Sequence, residues 1–275
     1  MNHDRSPAYP RRMPLVRLHD RGAIESWLRR DAPMHLYELG DLDDFFWPHT
    51  EWHALAAANG EIEALALMYR ATELPVLLLL GGEDGRDAAR RLLIELEPAL
   101  PARFYAHLVP GILDALPSMT REPHGLHDRM VLTSPARLEA IDSAEAIALG
   151  SGDIDATLAF YRGAYPGNWF DARMLETGTY FGVRRDGELA CVAGVHVVSR
   201  ALRVAALGNI ATAPAARRQG LARVATAAVG QSLARQSIDL IGLNVASDNA
   251  AAIALYRELG FERVGRYDEV LVTRG

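Results

Sequence analysis

The chain has 275 residues, 49% hydrophobic and 23% charged: ample apolar material for packed cores, more length than most single cores use, and no case for global disorder. A formal net charge of −6, from 29 Lys and Arg against 35 Asp and Glu, leaves no overall electrostatic footprint for nucleic acid. The single cysteine, Cys191, excludes an internal disulfide and a thiolate metal cage, which suits a reducing cytoplasm, and no apolar run approaches the roughly 18 to 20 residues that span a bilayer.

Residues 1–12, MNHDRSPAYPRR, lack an apolar signal core and read as a loose arm. From 13 to 133, helix-like stretches (Ala23 to Arg30, Arg86 to Leu96) alternate with strand-like ones (Ile62 to Tyr69, Pro75 to Leu80), the pattern of an α/β domain. Asp41, Asp43, Asp44, Phe45, Phe46 and Trp47 mix acids with aromatics. They fit either the wall of an acceptor or domain interface or, as the more ordinary outcome, a helix with a solvated acidic face and a buried aromatic one. His49-Thr50-Glu51-Trp52-His53 is not a zinc motif, because HExxH needs its glutamate directly after the first histidine, and it reads as polar surface.

The apolar strand Pro75 to Leu80 enters a glycine loop, GGEDGRD, and then a helix from Arg86, but Glu83, Asp84 and Asp87 surround that helix start. Negative charge there satisfies the helix dipole and repels phosphate. Prolines at 101, 110, 117, 123 and 135 punctuate the end of this half, and 133 to 143 reads as an inter-domain connection.

A second domain is expected over 142–275. A short strand at Ala144 to Leu149 precedes a helix from Ile154 to Tyr161, an aromatic loop and a second helical piece near Met174. Tyr161, Tyr165, Trp169 and Phe170 are candidates to shape an acceptor pocket. TYFGVRR and ELACVAGVHVVS are strands joined at Asp186-Gly187, a strong hairpin signal, and a third strand runs from Leu202 to Thr212. Cys191 lies in an apolar run and reads as a small core residue. A helix follows, with Leu221, Val224, Ala228 and Val229 at helical spacing, then a strand, SIDLIGLNVAS, and a helix, NAAAIALYRELG, closed by Gly260 as C-cap. FERVGRYDEVLVTR supplies the last strands.

The residues that carry chemistry are Arg217, Arg218, Gln219, Gly220, Leu221 and Ala222, between a strand and a helix. Such a turn leaves amide N–H groups unpaired at the positive end of the helix dipole, a ready anion site. Neither GxxxxGK[ST] nor GxGxxG is present. About thirty residues on, Asn249, Ala252 and Tyr256 share one helix face.

These two motifs in this order resemble the Gcn5-related acetyltransferase (GNAT) superfamily, through its RxxGxG/A loop at Arg217 to Ala222 and its NxxAxxxYxxxGF helix at Asn249 to Phe261; GNIATAPAARRQGLA resembles the glycine acyltransferase-like branch. The first half echoes the layout as a degenerate unit. The resemblance implies tandem acyl-CoA N-acyltransferase-like domains of α/β (α+β) class, each a mixed, mostly antiparallel sheet flanked by helices. It implies acetyl-CoA or another acyl-CoA as cosubstrate, with Ile210, Ala211 and Thr212 pairing with the pantetheine, residues 217 to 222 holding the pyrophosphate, and Asn249 and Ala252 beside the pantetheine or helix start. Tyr256 would protonate the departing thiolate.

Several relatives carry a carboxylate base on the third strand, where residues 201 to 216 here have no Asp or Glu. His196, Asp171, Glu176, a water, or no dedicated base all stay open, and His196 is also a candidate for simple packing. The expected partner is a small-molecule or peptide amine, in the cytoplasm, with no metal, nucleic acid or membrane and with homodimer formation left open. A catalytically inactive acyl-CoA-binding sensor or interaction module is the alternative.

Overall fold

A computed structural model describes residues 15–275, so the arm expected over 1–12 and the first two residues of the expected first domain lie outside the described residues. In chain order the first half runs β1 (Leu15–Leu18), α1 (Arg21–Leu28), α2 (Leu36–Gly40), β2 (Thr50–Ala56), β3 (Ile62–Tyr69), β4 (Val76–Leu79), α3 (Arg86–Leu96), β5 (Arg103–Leu108) and β6 (Met119–Leu132). After α4 (Pro135–Glu139) come β7 (Ile147–Leu149), α5 (Ile154–Ala164), β8 (Tyr180–Arg185), β9 (Glu188–Ser199), β10 (Val204–Thr212), α6 (Leu221–Arg235), β11 (Leu240–Ala246), α7 (Ala250–Glu258) and β12 (Phe261–Arg274). The second half thus repeats the order of the first, with a single turn at Ile112–Ala115 where α7 stands in the later copy.

Among the described residues all twelve strands form one sheet, in the order β1-β2-β3-β4-β5-β12-β6-β11-β10-β9-β8-β7. Every pairing is antiparallel except β4 with β5 and β10 with β11. The last strands of the two halves are exchanged: β12 inserts beside β5, and β6 beside β11. β6 and β12 also pair with each other from Phe261↔Leu132 to Arg274↔Met119. Each half therefore completes its sheet with a strand from the other. The result is a mixed, mostly antiparallel sheet flanked by helices.

Periodicity explains the layers. Ala89, Leu92, Leu93 and Leu96 line one face of α3 and are buried on the first half's strands, in a cluster with Ala66, Leu79 and Phe104. Leu221, Ala225, Val229 and Leu233 do the same for α6 against Val192, Ala205 and Leu243. A third cluster joins the halves: Ile24, Leu36 and Leu39 of α1 and α2 pack with Val197, Val204 and Ala206 of β9 and β10. The two parts of the chain thus share a core as well as a sheet.

Three sequence expectations change. The stretch 133–143 is not open linker, because Pro135 starts α4 and Gln231 Nε2 on α6 donates to the Leu138 and Ile141 carbonyls at 3.2 and 2.9 Å. The helical piece near Met174 is a 3₁₀ turn over Ala172–Thr177, capped by Asp171 and stopped at Gly178 in the left-handed region. The final run is one strand, since pairing on both sides by β5 and β6 keeps 261–274 extended. The Asp186-Gly187 hairpin forms with φ of 49° and 85°, and Gly260 ends α7 with φ of 95°, both as their residue types require.

Candidate active site

The cavity begins where two strands part. β10 and β11 pair in parallel from Val204↔Leu240 to Leu207↔Leu243 and no further, although β10 runs on to Thr212 and β11 to Ala246. Beyond that point Ile210, Ala211 and Thr212 line an open cleft, with Ala222 and Ala252 on its helical sides. Its volume is about 1190 Å³, above the roughly 300 to 1,000 Å³ of a pocket for one small ligand. In the first half, β4 and β5 pair along all of Val76 to Leu79, and the Val109 amide continues the ladder to the Leu79 carbonyl, so the matching position is shut.

At the cleft mouth the turn before α6 has Arg218 at φ 63° and Gly220 at φ 78°, two left-handed residues two positions apart. The amides of Gly220, Leu221, Ala222 and Arg223 find no acceptor among the described residues, and the first intrahelical bond is Val224 N–H to the Gly220 carbonyl at 3.2 Å. A Cβ on Gly220 would meet nothing within 4 Å, so space lies in front of these donors. Arg217, Arg218 and Gln219 are exposed around it, and no acid stands in the first turn of α6. Converging amides, two guanidinium groups and a helix N-terminus fit a pyrophosphate.

Asn249 serves the helix start: its Oδ1 accepts the Ala252 amide at 3.1 Å as N-cap of α7. One turn on, Tyr256 is 7% exposed and lines the cleft, its ring edge-on to Phe261 at 6.1 Å. Its hydroxyl has no hydrogen-bond partner among the described residues. Burial raises its pKa, with the neighbouring Tyr37 and Tyr165 adding to the effect, so the proton is retained. Cys191 lies in the core with its thiol pushed up to about 11 by burial, offset by a hydrogen bond from Thr212.

Along the same cleft wall, β10 bulges between Gly208 and Ala211, and Asn209 sits at φ 52°. Four bonds hold it: its amide donates to His196 Nε2 at 3.1 Å, its carbonyl accepts Tyr161 Oη at 2.5 Å, and its Nδ2 donates to Tyr180 Oη at 2.9 Å and Met174 Sδ at 3.5 Å. The His196 ring lies over Gly208, where any Cβ would stand 1.4 Å from Cδ2, so only glycine allows this contact. Burial lowers the His196 pKa to about 4, partly opposed by the charge of Glu269 and the Asn209 contact. The neutral ring therefore carries its proton on Nδ1. The Nε2 lone pair that a base would use is already engaged, which makes His196 a support for the bulge.

The rest of the cavity comes from residues that sequence reading did not single out. Tyr37 from α2, Tyr69 from β3, Tyr105 and His107 from β5, His127 from β6, and Tyr267 and Glu269 from β12 all line it. Glu269 is the hub: Oε1 accepts from Tyr105, Oε2 from Tyr267 at 3.3 Å, and the His107 and His127 Nε2 atoms lie 3.7 and 3.4 Å from Oε2. Behind it, the fully buried Arg129 guanidinium stacks on Tyr37 at 4.5 Å and Tyr267 at 5.7 Å. The available signal was alternation: Tyr105-x-His107, His127-x-Arg129 and Tyr267-x-Glu269 each put two polar groups on one strand face.

Asp41, Asp43, Phe45 and Phe46 also face the cavity, from turns after the short α2 and not from a helix. Asp43 accepts from Ser199 at 2.7 Å and Asp44 pairs with Arg21. The other base candidates, Asp171 and Glu176, lie at the rim, Asp171 engaged by Arg173 at 2.9 Å. Tyr165 and Trp169 line the wall, Trp169 meeting Tyr105 at 5.6 Å, whereas Tyr161 and Phe170 pack behind it. Among the described residues no group of three or more His, Cys, Asp or Glu is placed to hold a metal ion.

Comparison with known proteins gives three results. Residues 153–261 match the family described as Acetyltransferase (GNAT) family. An 81-residue stretch is 38% identical to the ribosomal protein bS18-alanine N-acetyltransferase of Escherichia coli, covering 30% of this chain. The chain spans about half the length of the curated relatives it matches, 53% of that enzyme. Over 94% of the chain the fold resembles a GCN5-related N-acetyltransferase from Sphaerobacter thermophilus (96% of that chain, TM-score 0.58, 12% identity). Over 96% it resembles a tandem GNAT protein from the clavulanic acid biosynthesis pathway (99% of that chain, TM-score 0.54, 16% identity).

Proposed function

We propose that the chain, whose residues 153–261 match the GNAT acetyltransferase family, transfers an acetyl or other short acyl group from acyl-CoA to a primary amine. The observation that carries this reading is the cleft itself: strands that part after Leu207 and Leu243, and, among the described residues, unpaired amides at its mouth and a Tyr256 hydroxyl inside it without a partner. Residues 217–223 would hold the pyrophosphate, Ile210 to Thr212 would offer backbone groups to the pantetheine, and Tyr256 would act as general acid. Asn249 shapes the start of α7, and Ala222 and Ala252 keep the helical walls low. The thioester, once bound, supplies an activated acyl carbon; the protein excludes water and sets the donors around it.

His196 is not assigned the base in this reading, because its Nε2 is engaged at the bulge. The cofactor cleft belongs to the second half, since β4 and β5 close the first half's equivalent and acids ring the start of α3. We treat 13–133 as an accessory GNAT-like unit that walls the acceptor side and 142–275 as the catalytic one. The test is thiol release from acetyl-CoA against a panel of primary amines, with calorimetry of CoA binding beside it. Turnover with at least one amine supports transfer. Tight binding without turnover on any amine refutes it in favour of a sensor or interaction module.

A further inference from the structure

We propose that Glu269 both docks the acceptor's ammonium and takes its proton, which makes primary alkylammonium compounds the acceptor class; this rests on the acyl transfer proposed above. The argument starts from the strand exchange. β12 belongs to the second half by sequence, yet it lies between β5 and β6 of the first, in a register that sets Glu269 opposite His107 on one side and Gly125 on the other. Alternation then puts Tyr105, His107, His127, Tyr267 and Glu269 on one face of the sheet, and all five line the cavity that also holds Tyr256. A carboxylate in a chamber walled by the rings of Tyr105, Tyr69 and Trp169 favours a cation with an apolar stem.

The hydrogen-bond directions equip this carboxylate for proton transfer, where those around His196 do not. Tyr105 and Tyr267 both donate to Glu269, which fixes the group without supplying a competing base. His127 Nδ1 lies 3.3 Å from the Gly125 carbonyl, which can only accept, and its Nε2 lies 3.4 Å from Glu269 Oε2, so the neutral ring in the Nδ1–H tautomer presents its Nε2 lone pair to Glu269. An ammonium proton taken by Glu269 can therefore pass to His127. The step balances: the neutral nitrogen attacks the acyl carbon, the C–N bond forms and the C–S bond breaks. Tyr256 gives its proton to the thiolate and regains one from the new amide nitrogen. One net proton leaves through Glu269.

The experiment compares acceptors of different basicity at neutral pH. Simple alkylamines are cationic there and need a base; trifluoroethylamine and hydroxylamine are already neutral and do not. In Glu269→Gln, which keeps the Tyr105 contact, kcat/KM for alkylamines falls by about 10² or more. It changes by less than about threefold for the two weak bases, with acetyl-CoA affinity unaltered by calorimetry. His127→Gln gives the same basicity-dependent loss at smaller size, and stands in if the first variant fails to fold. An equal loss for both amine classes, or none for either, overturns the assignment of Glu269 while leaving acyl transfer intact. A wild-type protein that binds acetyl-CoA and turns over no amine removes acyl transfer itself, and the proposal with it.

Discussion

Gly220 allows the proposed phosphate site to be tested by separating backbone strain from charge. Its φ of 78° is left-handed, and a Cβ there would contact nothing. In Gly220→Ala the only cost to the fold is the left-handed conformation, about 1 to 2 kcal/mol. That corresponds to a fall in Tm of roughly 2 to 8 °C for a protein of this size. Gly220→Glu has the same strain and adds a carboxylate to the space in front of the amides of 220 to 223. At about 5 Å from a phosphate charge, and an effective dielectric of about 20, that repulsion is about 3 kcal/mol, or about 10² in Kd. Calorimetric titration with CoA should therefore show Gly220→Glu weaker than Gly220→Ala by about 10², while their melting curves nearly coincide. The gap should narrow as salt is raised. A folded Gly220→Glu protein that binds CoA within about threefold of Gly220→Ala would show that the anion does not sit there.

Tyr256→Phe keeps the ring against Phe261 and removes only the hydroxyl, so turnover should fall by about 10² or more with little change in CoA affinity; near-normal turnover would reduce Tyr256 to packing. Calorimetry should give one CoA per chain, and charge reversal of Arg86 at the start of α3 should leave that affinity unchanged, because β4 and β5 leave no cleft there. Burial holds both His107 and His196 at about 4, below the ordinary value of 6.5. The unfolded chain therefore binds more protons between those values, and stability that is full above about pH 6.5 is lost as pH falls toward 4. Melting temperatures across that range should drop for the wild type and drop less for His196→Asn.

What the sequence determined by itself is local. Period-2 and period-3.6 patterns placed β3, α3, the β8–β9 hairpin and α6. The RRQGLA turn and the Asn249–Ala252–Tyr256 face pointed to the part of the cavity proposed here for the cofactor, because a helix N-terminus and a helix face are made of neighbours in sequence. The part of the cavity proposed for the acceptor needed the tertiary structure. Tyr105, His127 and Glu269 are separated by 22 and 142 residues or more, and each, on its own strand, looks like an ordinary polar position on a half-exposed face. They meet only because β12 and β6 trade places between the halves, and strand exchange is decided by pairing free energy summed along whole strands, which no short motif encodes. His196 shows the same limit in reverse. Its residue type suggests a base, but the bulge at Asn209 occupies its lone pair, and a bulge is a property of two paired strands.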